Sequence, residues 1–195
     1  MRTWIVIAVA LALGCNTELE NSTLTLALMD APPANVTSVV VQVARIDVHV
    51  EPGSADARAA NDASIDLDDS WHQFTVNKAI DLAAAQSEIA AVVLGDVQLP
   101  DGKITQIRLV FDTVKSSTVT AGGKTCELGL AKLPKTGIKI THPFKSFHVG
   151  KALQHKVWID APLDQMLVAT KTCFDLKPVL KIAKFQTSGK NVTVN

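Results

Sequence analysis

The stretch VTSVVVQVARIDVHVE, residues 36–51, decides the fold. Apolar and polar residues alternate along it, the period of a half-buried β-strand. The phase breaks once. Val39, Val41 and Val43 share one parity, and Ile46, Val48 and Val50 share the other. A regular strand would bury one set and expose the other, because a slip of one residue turns every later side chain to the opposite face. One extra residue near Ala44-Arg45, a β-bulge, returns both sets to one face. The stretch therefore predicts a single long, bulged strand.

Similar patterns flank it. Leu24, Leu26 and Leu28 alternate with Thr25 and Ala27 and end at the turn Asp30-Ala31-Pro32-Pro33. Downstream strands are expected at Trp71–Val76, Ile104–Thr113, Ile138–Thr141, Phe144–Val149, Gln154–Asp160, Thr172–Ile182 and Asn191–Val194. Val119-Thr120 and Thr125–Leu130, joined across Gly122-Gly123, read as a hairpin. Pro178 places an edge or a bulge inside the second-last strand, because proline donates no ladder hydrogen bond. Residues 79–92, AIDLAAAQSEIAAV, are alanine-rich and predict the one short helix. Eight to ten strands with no βαβ alternation predict an all-β, antiparallel β-sandwich.

The amino terminus carries an address. Arg2 precedes the apolar run Trp4–Leu13, and then come Gly14 and Cys15. A charged front, a short apolar core and a small residue before a break form a secretory signal. Ten helical residues span about 15 Å, half of a bilayer core. The end Ala12-Leu13-Gly14-Cys15 resembles the bacterial lipobox. That resemblance implies cleavage after Gly14 and lipidation of Cys15, with several acyl chains as a firm anchor. Residues 1–14 are then a lipoprotein signal peptide, 15–22 a polar tether and 23–195 a single β-sandwich domain. Asn16 differs from the aspartate of an inner-membrane retention signal, which favours the outer membrane over the inner.

Composition narrows the partners. The 195 residues hold 19 basic and 19 acidic side chains, so there is no basic excess for nucleic-acid phosphates. A hydrophobic content of 47% argues for a folded core. Tyrosine is absent and aromatics make up 5%, so a stacked-aromatic carbohydrate platform has few residues to draw on. Cys126 and Cys173 remain once Cys15 is lipidated, and an even pair in an exported chain predicts a disulfide. Parity argues the other way. Cys126 shares a face with Leu128 and Leu130, whereas Cys173 alternates with Phe174, Leu176 and Leu180.

Several segments together resemble one known family. LTLALMDAPP (24–33) leads into residues 36–50, then Trp71, LPDGKITQIRLVF (99–111), GIKITHPFKSFHVGKALQHKVWIDA (137–161) and FDLKPVLKI (174–182). In order and spacing they resemble the domain of unknown function 4382, found in bacterial exported lipoproteins. The resemblance implies a sandwich related to immunoglobulin-like or transthyretin-like modules. It implies no activity.

Candidate chemistry is sparse. Asp62, Asp66, Asp68 and Asp69 cluster in NDASIDLDDS, and such carboxylates suit calcium. EF-hand spacing is absent, so a solvated acidic loop is the plainer reading, and no other cofactor is expected. His49, His72, His142, His148 and His155 are dispersed, with no HxH or HExxH pair. No Gly-x-Ser-x-Gly elbow occurs. Gly122-Gly123-Lys124 is a turn and lacks the frame of a phosphate loop. Trp71 and Trp158 read as core or sheet-edge aromatics, with a ligand platform as the sharper alternative. Arg108 has the parity that points away from the core. The expected function is a non-enzymatic, membrane-anchored binding or scaffold module of the cell envelope, with an envelope protein or glycan as partner. An envelope hydrolase, its site assembled from dispersed strands and loops, is the alternative class.

Overall fold

The computed structural model describes residues 21–29, 32–52, 70–87, 91–140, 146–150, 153–188 and 190–192. The long strand of the opening stretch is β2, Val36–Pro52. Ala44 is its bulge. Val43 faces Lys78 on one side and Phe111 on the other, the next paired residue is Arg45 facing Thr75 and Val110, and both partners skip Ala44. Val39, Val41, Val43, Ile46, Val48 and Val50 are consequently all buried. Each such side chain contributes about 1.5–3 kcal/mol by leaving water.

Two sheets share the resulting core. In the first, β1 (Ser22–Met29) lies between the edge strand β4 (Val92–Leu99) and the central β10 (Gln154–Asp160). Beyond β10 lie β13 (Lys181–Thr187) and β14 (Lys190–Val192). The second is built on β2. Along one edge it takes β3 (Trp71–Asp81). Along the other it takes β6 (Thr118–Ala121) and then β5 (Gly102–Phe111). Outside β5 lie β8 (Ile138–Lys139) and β9 (Phe147–Val149). Outside β6 lie β7 (Lys124–Gly129), β12 (Phe174–Leu176) and β11 (Leu167–Ala169). The β1 leucines, Leu24, Leu26 and Leu28, join the β2 valines in one apolar cluster, which makes the all-β, sandwich-like arrangement.

Four expectations change. The described part of residues 79–92 does not form the expected helix. β3 runs through Asp81, which pairs with Val40, and only a 3-10 turn follows at Leu82–Ala84. The Asp81 carboxylate accepts from the Val39 N–H (2.8 Å), the Ala83 N–H (3.0 Å) and the Ser38 hydroxyl (2.8 Å). Tertiary pairing thus overrides alanine's helical propensity. The one α-helical turn is elsewhere among the described residues, at Leu163–Met166. The sheets are also not purely antiparallel, since β1 runs parallel to β10 and β7 parallel to β12. Periodicity reports which face is buried and is silent on strand direction. Fourteen strands appear among the described residues, several only two or three residues long. Pro178 ends one strand instead of kinking it, lying between β12 and β13.

His155 sits on the core-facing parity of β10, 2% exposed. Its Nδ1 lies 3.0 Å from the Thr187 hydroxyl, and its ring stacks on Phe185. Burial holds this imidazole below the usual histidine value; a hydrogen bond to the Gly150 backbone pulls the other way, and the nearby His148 adds to the lowering.

Two outcomes are expected. Deletion of Ala44 forces one half of β2 to turn its valines outward, so the cooperative unfolding transition seen by circular dichroism is lost, whereas Ala44→Gly keeps it. For His155, the folded value lies below the unfolded one, near 6.5. Its contribution to stability is therefore intact above about pH 6.5 and falls as the pH drops, because the unfolded chain takes up a proton that the folded chain refuses. Urea midpoints measured from pH 7.5 to 5 decline more steeply in the wild type than in His155→Gln.

Candidate binding cleft

The β6–β7 hairpin closes on Gly122 and Gly123 at φ +56° and +74°, the conformation required at both centres of a tight two-residue turn. The chain enters this hairpin through residues 112–117. Asp112 shapes that loop by accepting from the N–H groups of Val114 (3.0 Å) and Lys115 (3.2 Å). Those two backbone bonds hold its carboxyl below the usual carboxylate range.

On the far side of β7, the parallel pairing with β12 is short. Leu128 faces Phe174 and Gly129 faces Asp175. A disulfide between Cys126 and Cys173 reinforces it, with Cα atoms 5.8 Å apart and a sequence separation of 47. The expected pairing holds, and the parity objection fails for a structural reason. Cys173 lies in the bend just before β12, where its N–H donates to the Thr170 hydroxyl at 3.0 Å, so strand alternation does not govern its direction. Gly129 leaves room for the Asp175 carboxylate, since a Cβ there would lie 2.2 Å from Asp175 Oδ1, while the Asp175 Cα would stay at an ordinary 3.6 Å. Asp175 in turn meets Lys132 at 2.7 Å.

Between the 112–117 loop, β7 and the bend before β12 lies a cleft of about 580 Å³. Its size falls in the range of small-ligand sites. Ser117, Glu127, Thr170, Thr172 and Phe174 line it, with Cys173 in the wall. Ser117 is 2% exposed, and its hydroxyl has no hydrogen-bond partner among the described residues. A buried hydroxyl left unpaired costs about 1–3 kcal/mol; its oxygen is closed to solvent, so an occupant of the cleft as it stands does not reach it.

The family model for the domain of unknown function DUF4382 matches residues 21–178, both walls of this cleft included. The chain belongs to the DUF4382 family. No curated protein matches it. One solved structure similar to this DUF4382 chain is described as a "putative cell adhesion protein" from Bacteroides eggerthii DSM 20697. The identity is 12%, over 88% of this chain and 56% of that one, with a TM-score of 0.37. This chain thus spans little more than half of that protein, and a likeness of this size carries no functional argument.

The other residues singled out from the sequence fall in several places. Cys15, His142 and the carboxylates Asp62, Asp66, Asp68 and Asp69 lie outside the described residues. Among the described residues, no three or more His, Cys, Asp or Glu side chains gather as metal ligands. Arg108 does point away from the core, but it meets an aromatic ring, not an acid. Its guanidinium lies 4.0 Å above the Trp71 ring, and its Nε donates to Gln106 Oε1 at 3.0 Å. Asp47, directly across from Arg108, is taken by Arg45 at 2.8 Å. His49 holds the hydroxyls of Thr105 and Ser70 and places its ring edge-on to Trp71. This outer ladder of the β2 sheet is internally paired. Trp158 lies 4% exposed under the ammonium groups of Lys156 and Lys184. Sequence reasoning missed Ser117, Glu127 and Phe174 as a group. Ser117 sits in an irregular loop and Phe174 follows the distant cysteine, so only the disulfide hinted that their segments meet.

The double variant Cys126→Ser/Cys173→Ser is expected to lose roughly 4 kcal/mol of stability by the chain-entropy estimate. Guanidinium unfolding of oxidised wild type against the variant measures it. Gly129→Ala is expected to displace the Asp175 carboxylate from Lys132, at a cost of up to about 1 kcal/mol. In the same assay, a loss of several kcal/mol would contradict a clash confined to the side chain.

Proposed function

We propose that this protein is a lipid-anchored, non-enzymatic binding module of the bacterial cell envelope, with the disulfide-walled cleft as its ligand site. The run ending at Cys15 supports the anchor, and Asn16 favours the outer membrane. The balanced charge speaks against nucleic acid as a partner and leaves an envelope protein or glycan. One observation carries the choice of binding over hydrolysis. A serine nucleophile needs a base within hydrogen-bond reach. The Ser117 hydroxyl has no such neighbour among the described residues and its oxygen is closed to solvent, so it is not placed to attack a ligand.

The test uses the full chain expressed in a bacterium. The wild type is expected to fractionate with the outer membrane and to incorporate radiolabelled palmitate, and Cys15→Ser to do neither. A Cys15→Ser protein that sediments with membranes as fully as the wild type would sink the anchor. On chromogenic esters and glycosides, turnover by the wild type that disappears in Ser117→Ala would sink the non-enzymatic reading.

A further inference from the structure

The chemistry of the cleft lining narrows the ligand. Building on the binding role proposed for the cleft, we infer that it takes a neutral saccharide unit. Its exposed uncharged polar side chains are the hydroxyls of Thr113, Thr170 and Thr172. A hydroxyl both donates and accepts, which suits a ligand that is itself a set of hydroxyls. Phe174 contributes one apolar face beside them.

The charges in the cleft are consistent with a neutral occupant. Asp175 is answered by Lys132 at 2.7 Å, and Lys115 by Asp112 at 3.5 Å. Glu127 is the lining carboxylate with no ionic or hydrogen-bond partner among the described residues. An ionised carboxylate accepts through two oxygens and donates nothing, so it suits a pair of neighbouring sugar hydroxyls. Such charge-assisted O–H···O bonds are roughly twice as strong as neutral ones.

A peptide laid down as an added strand fits less well. Strand addition needs an unpaired edge. Beside the cleft, Leu128 and Gly129 of β7 already pair with β12, and β12 pairs on its other side with β11.

Saturation-transfer NMR on the full chain in detergent provides the test. The probes are glucose, N-acetylglucosamine, cellobiose and chitobiose, with 1,4-diaminobutane as a cationic comparison for Glu127. At least one sugar is expected to receive magnetisation from the protein. Its affinity should fall about tenfold in Glu127→Gln, the loss of one charge-assisted contact. Binding should weaken in Thr172→Val, which removes a lining hydroxyl and keeps the side-chain shape. Thermal unfolding checks that each variant is folded, as the exposed positions of Glu127 and Thr172 favour. No transfer to any sugar, sugar binding that survives Glu127→Gln unchanged, or binding of the diamine alone overturns the saccharide and leaves the binding reading standing. Cleavage of a disaccharide overturns the binding reading itself.

Discussion

Ala44 is unpaired on both flanks of β2, and much of the molecule is arranged around that one residue. Without it, the valines before and after would point to opposite faces. With it, six apolar side chains of one strand enter one core. The bulge also marks where the neighbours of β2 change. β6 pairs with Val36–Val40, and β5 takes over from Val43 onwards. Between these two contacts the Gln42 carbonyl accepts the Asp112 N–H at 2.8 Å, just where β5 ends. The loop that walls the cleft therefore starts from a point fixed by the bulge.

The same phase change decides what faces outward. Arg45, Asp47 and His49 fall on the surface of β2 because Ile46, Val48 and Val50 fall inside. Arg45 and Asp47 pair with each other, His49 finds partners on β5 and at the start of β3, and a second irregularity helps. β5 slips at Thr105, between the pairs His49–Gln106 and Val50–Ile104, and the Thr105 hydroxyl reaches His49. Asp47 is 4% exposed yet bonded to Arg45, so its burial is compensated. Polar groups that satisfy one another so fully stiffen a sheet. The cleft differs in this respect, because its buried hydroxyl has no partner among the described residues.

Legibility followed the physics of each signal. Alternation of apolar residues is local, so the β2 bulge and the β1 strand could be read directly from 36–51 and 24–28. The alanine-rich 79–92 segment misled because propensity is also local, whereas Asp81 obeys Ser38 and Val39, some forty residues away in sequence. Strand direction leaves no periodic trace, and the parallel pairings of β1 with β10 and β7 with β12 were unreadable for that reason. The disulfide was legible from cysteine count alone. Parity counted against it only because Cys173 was taken as part of a strand. The cleft was not legible, since its walls come from separate segments with no shared pattern, brought together by that bond.

The placement of the cleft follows from where the sheet is weakest. β7 and β12 share only two paired positions, too few to hold an outer hairpin firmly by backbone bonds alone. The covalent bond beside them replaces what the short ladder lacks. A wall held by a cross-link and two pairs need not be filled by core side chains, so space remains between it and the 112–117 loop. In the centre of the sandwich, by contrast, β2 is flanked on both sides and its inner face is packed shut. A ligand site in this fold is therefore expected at the stapled edge, where stability comes from one bond and not from close packing, and where a polar side chain such as Ser117 can stay buried without a partner of its own.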